Sequence, residues 1–323
     1  MKKASIVSNG PIEEVAVKIL RPFGEIVIAE ESTEAAFLKV VDGAVGLVLR
    51  GNGAASARII EAATDLKVIG RPGVGYDNVD IEAATARKIP VVITPGANSQ
   101  AVAEAALTLM MVLCKKVIHW DGQLKKGNWQ SRFEEYSGDM EGATLGIIGF
   151  GSIGQALAKL VSSFGMTILA YDPFVTKETA IKLNATLVEL DTLLKQSDFV
   201  SIHASLNDST RGLINEERLN LMKPGSYLVN LARGGLIENL DILYKALVDG
   251  LLAGVGLDVF DPEPPDVTHP IFQLEQCLTA PHALAMTKMA TYRIFKSMAV
   301  DMAAVLQGKK ARFCVNPEVF DSI

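Results

Sequence analysis

Cysteine is scarce in this chain: Cys114, Cys277 and Cys314 stand far apart, with no metal-ligand spacing. Three thiols cannot all pair, which excludes a disulfide scaffold and points to a reducing, cytoplasmic setting. Basic clusters are missing too. No run of lysine or arginine exceeds two residues and the net charge is −6, so neither nucleic acid nor an acidic membrane surface is an expected partner. The opening MKKASIVSNG has two lysines but no apolar core, so no signal peptide is expected. The longest apolar stretch, residues 105–114, is too short to span a bilayer. Histidine is limited to four positions, which narrows the choice of proton-transfer group. What is plentiful is apolar surface. At 49% hydrophobic over 323 residues, the chain can bury about two domain cores.

The most organised stretch is 145–173, LGIIGFGSIGQALAKLVSSFGMTILAYDP. It reads as a strand over 145–150, a glycine turn, a helix and a second strand over 166–171. Gly149, Gly151 and Gly154 fit G-x-G-x-x-G. The first permits a tight turn, the second lets backbone approach a pyrophosphate, and the third lets the helix lie close to the strand. Free N–H groups at Ser152 and Ile153 suit phosphate charge. Asp172 ends the second strand near the roughly 20-residue spacing at which an acid meets the adenosine ribose hydroxyls. It would repel a ribose phosphate, so NAD is expected before NADP. The alternative is a tight helix–strand turn with an exposed aspartate at its far end.

The first hundred residues alternate strands (5–8, 25–29, 45–49, 67–70, 91–94) with helices (11–20, 34–40, 54–63), the pattern of a parallel sheet with helices on both faces. Ligands of such sheets sit at the carboxyl ends of strands. Two loops there carry arginine among glycines, Arg50-Gly51-Asn52-Gly53 and Arg71 to Asn78, and both suit a small carboxylate. For Arg50, ordinary turn chemistry is an equal alternative. Ser99 reads as the cap of a long apolar helix over 100–118, which must pack between domains or against another subunit. Residues 121–142, with Trp129 and Arg132, read as irregular. Further strands are expected at 199–203, 226–231, 253–259 and 277–280. A last helix over 288–307 is expected to return to the first domain.

Among the histidines, His119 and His269 fall outside strand ends, while His203 and His282 each follow one. Spacing alone does not choose between these two, although Ala280-Pro281 gives His282 a rigid lead-in. The surrounding motifs add more. NLARGGLIEN, GLDVFDPEP and APH, with GFGSIG upstream, resemble the D-isomer-specific 2-hydroxyacid dehydrogenases. RPGVGYDNVD, PGANSQAVAEAAL and the closing VNPEV resemble the phosphoglycerate dehydrogenase-like branch. The resemblance runs from Arg50 to Val319.

That resemblance implies an α/β fold of two doubly wound parallel-sheet domains. A Rossmann NAD-binding domain (100–287) would be inserted into a flavodoxin-like substrate domain (1–99 and 288–323). Arg233 matches the arginine that holds the substrate carboxylate, Glu263 the acid that bonds the catalytic imidazole, and His282 the imidazole itself. Asp258 matches the residue that fixes the nicotinamide carboxamide. The cofactor surface would further include His203, Leu231, Ala232 and Ala285. Backbone donors at Val74 and Gly75, with Arg50 and Arg71, would meet the substrate.

The chemistry of these residue types agrees. Arg233 offers a planar fork for a carboxylate, and Glu263 beside His282 favours imidazolium. No metal is implied. Departures lie near the cofactor: Ala204-Ser205 stands where the family usually has proline, and Ala283, Leu284 and Ala285 stand where glycines often follow the histidine. The expected activity is NAD-dependent interconversion of a D-2-hydroxy acid and its 2-keto acid. 3-Phosphoglycerate is the first substrate to try, with Arg50, Arg71 and Arg132 as candidate phosphate partners. Glyoxylate or hydroxypyruvate reduction is the runner-up. Formate oxidation is disfavoured, because it would pair the histidine with glutamine. An NAD-sensing corepressor of the same fold is the alternative of another class. A homodimer is expected, and a C-terminal regulatory domain with serine feedback is not.

Overall fold

Short apolar runs recur along the chain, and in the computed structural model the described residues form twelve parallel strands in two sheets. Residues 4–51 and 53–322 are described. Asn52 of the first arginine loop, the N-terminal Met1, Lys2 and Lys3, and Ile323 lie outside the described residues. The chain divides into two units, Met1–Asn98 with Met286–Ile323, and Ser99–Ala285.

In the first unit the strands are β1 (Ser5–Ser8), β2 (Glu25–Ile28), β3 (Ala44–Val48), β4 (Val68–Gly70) and β5 (Val91–Val92). They pair in the order β2-β1-β3-β4-β5, the flavodoxin-like doubly wound arrangement. The inner strands β1 and β4 are buried along their whole length, the two serines that end β1 included, whereas the edge strand β2 is half-exposed. Side-chain caps start the helices: Thr33 for Glu34–Val40, Ser56 for Ala57–Ala62 and Asp80 for Ile81–Ala86. The helix Lys288–Leu306 brings Phe295, Met298 and Met302 onto Ile6, Val48, Val68 and Val92.

The second unit holds β6 (Thr144–Ile148), β7 (Thr167–Tyr171), β8 (Ala185–Leu187), β9 (Phe199–Ile202), β10 (Ser226–Asn230), β11 (Leu252–Leu257) and β12 (Cys277–Thr279). Their order, β12-β11-β10-β9-β6-β7-β8, reverses direction between β6 and β9. That is the topological switch point, where Rossmann sheets open a ligand crevice. The helix Ser99–Cys114 covers β10 and β11, with Leu109 and Leu113 against Gly256 and Gly254.

Several local expectations need correction. The long helix stops at Cys114, and a second one runs Val117–Lys125. Lys116 turns the chain in the left-handed region at φ 50°. Lys115 bonds Gly138 O and Asp139, and Lys116 bonds Glu135, so side-chain partners on the returning segment replace the missing glycine or proline signal. Residues 121–142 are accordingly not irregular throughout, because they hold the end of that helix and a 3₁₀ turn, Trp129–Phe133. Ser99 is the first helical residue rather than the cap, and its buried hydroxyl has no hydrogen-bond partner among the described residues. The helix Ile81–Ala86 and the strand β8 were not expected, since each is too short for its periodicity to show.

Candidate active site

The glycine turn lies at the switch point. Gly149 follows β6 with φ +90°, and a Cβ there would come within 2.6 Å of His203 C and Ala204 N at the end of β9. Gly154 sits under the turn, where a Cβ would meet Gly149 O at 2.3 Å, so the helix Ser152–Val161 can lie this close only with glycine. Gly151 differs, because nothing lies within 4 Å of where its Cβ would be. Open space therefore faces the head of the helix, where the Ser152 and Ile153 N–H groups have no intrahelical acceptor. Asp172, just past β7, accepts from Phe150 N at 2.8 Å and from Phe174 N at 2.9 Å. The acid is thus braced against the glycine turn, and its oxygens keep lone pairs for further donors. Room, N–H donors and acid together fit a dinucleotide.

Arg233 is delivered by the turn after β10. Buried Asn230 folds that turn, accepting from Ala232 N at 3.0 Å and donating to Arg233 O at 2.8 Å. Leu231 is buried and Ala232 half-buried beside it. Arg233 Nη1 donates to Ala232 O at 2.8 Å. Of the next two residues, Gly234 is set against main chain and Gly235 against side-chain ends. A Cβ on Gly234 would stand 2.0 Å from Phe260 C, and one on Gly235 2.8 Å from Asp261 Oδ2. The β10 and β11 loops therefore press together, which brings the Arg233 charge to bear on Glu263.

Glu263 Oε1 accepts from Phe260 N at 3.1 Å, and its carboxylate faces His282 Nδ1 at 3.0 and 3.2 Å. Burial alone would raise the Glu263 pKa. The hydrogen bond and charge of His282, the Phe260 N–H and the Arg233 charge outweigh it and hold the carboxyl below its ordinary value. Glu263 remains ionised, with Nδ1 of the imidazole directed at it. That leaves Nε2 of His282 as the nitrogen able to exchange a proton with a ligand.

His282 has φ +54°, a left-handed backbone that costs a side-chain-bearing residue roughly 1–2 kcal/mol. The brace is Asp258. It is buried, and its carboxylate accepts from Ala283 N at 2.8 Å and from Leu284 N at 3.2 and 3.3 Å. Burial raises the Asp258 pKa, opposed by those two N–H groups and by the nearby imidazole. Sequence reasoning gave Asp258 only a cofactor contact. Its grip on the residues after His282 joins positions 25 and 26 apart, which no local pattern announces. Ala285, also expected at the cofactor, is half-buried against the second-unit core.

The other histidines differ. His203 Nε2 bonds Ser201 Oγ at 2.8 Å, its Nδ1 is enclosed without a partner among the described residues, and burial pushes its pKa down to about 4. His119 pairs with Glu135 at 2.8 Å, and His269 with Asp241 at 3.1 Å. In the first unit the two expected arginines are turned to main-chain carbonyls. Arg50 donates to Pro11 O and stacks over Phe295 at 5.3 Å, while Arg71 donates to Leu49 O at 3.0 Å and Gly51 O at 3.1 Å. Val74 is exposed and Gly75 half-exposed, and neither N–H donates to a main-chain acceptor among the described residues. No group of histidine, cysteine, aspartate and glutamate among the described residues is arranged to hold a metal.

Known proteins resemble this chain in sequence and in fold. Residues 107–283 match the family model of the D-isomer specific 2-hydroxyacid dehydrogenase, NAD binding domain. The sequence is 39% identical over 313 residues to D-3-phosphoglycerate dehydrogenase of Methanocaldococcus jannaschii, which covers 96% of this chain and 59% of that relative. It is 38% identical to hydroxypyruvate reductase of Thermotoga maritima, over 91% of this chain and 95% of the other. A crystal structure of a Thermus thermophilus protein superposes with a TM-score of 0.88 at 34% identity, covering 96% of this chain and 99% of that one. The chain thus spans less than two thirds of the phosphoglycerate dehydrogenase it matches and nearly all of the hydroxypyruvate reductase. Matched over more than half its length by the family model and over nearly all of it by such relatives, the chain belongs to the D-isomer specific 2-hydroxyacid dehydrogenases.

Proposed function

We propose that the protein interconverts a D-2-hydroxy acid and its 2-keto acid. The observation that carries this reading is the Glu263–His282 contact at 3.0 Å beside Arg233. NAD, when bound, supplies or accepts the hydride, and the Gly149–Gly154 turn with Ser152, Ile153 and Asp172 would hold it. Arg233 binds the substrate carboxylate with its planar fork. In reduction, His282 Nε2 gives its proton to the oxygen that was the carbonyl. In oxidation, the neutral ring takes the hydroxyl proton. Glu263 fixes the tautomer and compensates the charge that the ring gains.

Two substrates compete. The phosphorylated one would draw on the N–H groups that Arg50 and Arg71 do not already donate to main-chain carbonyls, and the unphosphorylated one, hydroxypyruvate or glyoxylate, needs none of them. The test is NADH oxidation with glyoxylate, hydroxypyruvate and 3-phosphohydroxypyruvate. Turnover of none of the three would point to another 2-keto acid, and turnover of none in a wider panel of 2-keto acids would replace the enzyme reading with that of an NAD-sensing binding protein.

A homodimer is supported by Met111, Val117, Ile118, Leu124, Trp129, Phe133 and Tyr136, large apolar residues exposed in one stretch of the second unit. Sedimentation at the monomer mass would exclude it. A cytoplasmic setting is supported by three free cysteines, and no helix among the described residues is long and apolar enough to cross a membrane.

A further inference from the structure

Three loops meet beside the proton-transfer pair, and one side chain ties them. The 205–212 loop is fixed internally: Thr210 Oγ1 donates to Ser205 O at 2.7 Å, and Arg211 N to Asn207 O at 2.9 Å. It is stitched to the loop after β10 by Gly212 N to Gly235 O at 2.8 Å and Ile214 N to Leu236 O at 2.9 Å. From this support Arg211 Nη1 reaches Asp261 Oδ2 at 2.8 Å, fifty positions away. The pair lies directly on Gly235, where a Cβ would come within 2.9 Å of Arg211 Nη1 and 2.8 Å of Asp261 Oδ2. Asp261 stands two positions before Glu263, whose Oε1 is held by Phe260 N.

We propose that Arg211 is a positioning residue for proton transfer: through Asp261 it holds the 260–263 turn against Gly234–Gly235, so that Glu263 meets His282 and Arg233 at working distance. The role rests on the dehydrogenase reading given above. Both partners of the ion pair are half-exposed, with 61% and 49% of their side-chain surface open. Exposed pairs of this kind add little to stability. What the pair supplies is therefore register, not folding energy. The charged groups around the imidazole are then Glu263, which bonds it, Asp258, which holds the residues that follow it, and Arg233, whose charge acts on Glu263.

The experiment compares Arg211→Ala, Arg211→Lys and Asp261→Asn in the full chain. It reads kcat, keto-acid KM, NADH affinity, melting temperature and the ring titration of His282 by NMR, assigned with His282→Ala. Arg211→Ala should lower kcat roughly tenfold or more, the scale of a small misplacement of a reacting group. NADH affinity and melting temperature should stay at parent values. The His282 titration midpoint should move to lower pH than in the parent, as Glu263 loosens its hold on the charged ring. Arg211→Lys should recover part of both effects, and Asp261→Asn should reproduce them. Parent values of kcat and midpoint in Arg211→Ala would overturn the proposal. So would a loss that follows melting temperature and that lysine does not repair. If the parent turns over no keto acid, the dehydrogenase reading fails, while the ring titration still decides whether Arg211 sets the Glu263–His282 contact.

Discussion

The ends of β9 and β12 each lead to a histidine, and the two rings are in opposite conditions. His203 bonds a neutral hydroxyl, Ser201 Oγ, and enclosure pushes its pKa down to about 4. His282 stands with 48% of its side chain open, one nitrogen on a carboxylate held ionised. A histidine transfers protons when one nitrogen is fixed by a charged partner and the other can be reached. His203 meets neither condition. Both lie at the carboxyl edge of one sheet, so position in the fold does not separate them. What separates them is the loop after β11, which brings Asp258 and Glu263 to one histidine and nothing comparable to the other.

Replacing each ring in turn tests the contrast most severely. His282→Ala should lower kcat by roughly two to four orders of magnitude, the worth of a positioned acid–base group, while NADH still binds by fluorescence titration. His203→Ala should retain most of the activity. The reverse outcome would transfer the role to His203.

A smaller effect sharpens the part played by the loop. Asp258→Ala removes the acceptor of the Ala283 and Leu284 N–H groups and so the brace on the left-handed His282. It should lower kcat roughly ten- to a hundredfold through misplacement and cost about 1–3 kcal/mol of stability, since hydrogen bonds to a charged group are lost. Steady-state kinetics and urea unfolding on the same preparation check both. A variant that loses stability but keeps its kcat would break the link between Asp258 and the histidine.

Glu263→Gln keeps a hydrogen-bond partner and removes the charge. Glu263 is held below its ordinary pKa in part by the hydrogen bond and charge of the imidazole, so the variant loses the partner that compensates a charge on the ring. In the variant the ring should lose its proton at lower pH. Reduction, which uses the protonated ring, should decline at lower pH than in the parent. Oxidation, which uses the neutral ring, should begin at lower pH. The pH profiles of kcat in both directions measure this, and unmoved limbs would separate Glu263 from the proton transfer.

These contrasts mark how far the sequence could be read. Parallel strands buried on both faces read as apolar runs, so the alternation of strands and helices was legible, and the glycine turn with Asp172 placed the switch point. Arg233, Glu263 and His282 could be singled out through short motifs and the family resemblance those motifs carry, and the fold brings Glu263 to His282. The grip of Asp258 on Ala283 and the reach of Arg211 to Asp261 span 25 and 50 positions, and they depend on which loops the sheet sets side by side. The break at Lys116 was hidden for a similar reason. Its cause, the Glu135 partner, lies 19 positions downstream. The states of the two histidines depend on enclosure, which residue identity does not encode.

The smallest effect on turnover is expected where the ring is enclosed, and it should show in stability instead. The His203 pKa is about 4 in the folded chain against an ordinary 6.5. Between those values the unfolded chain holds a proton on this ring that the folded chain does not, so stability rises with pH across the window. The contribution is complete above about pH 6.5 and is progressively lost as the pH falls toward 4. His203→Gln keeps a polar side chain able to bond Ser201 and cannot titrate. Its melting temperature should therefore vary less steeply than the parent's over this range, with neutral-pH turnover close to that of the parent. Differential scanning calorimetry across the window measures the slopes. Equal slopes would mean that the ring is protonated in the folded chain, which would remove the contrast with His282.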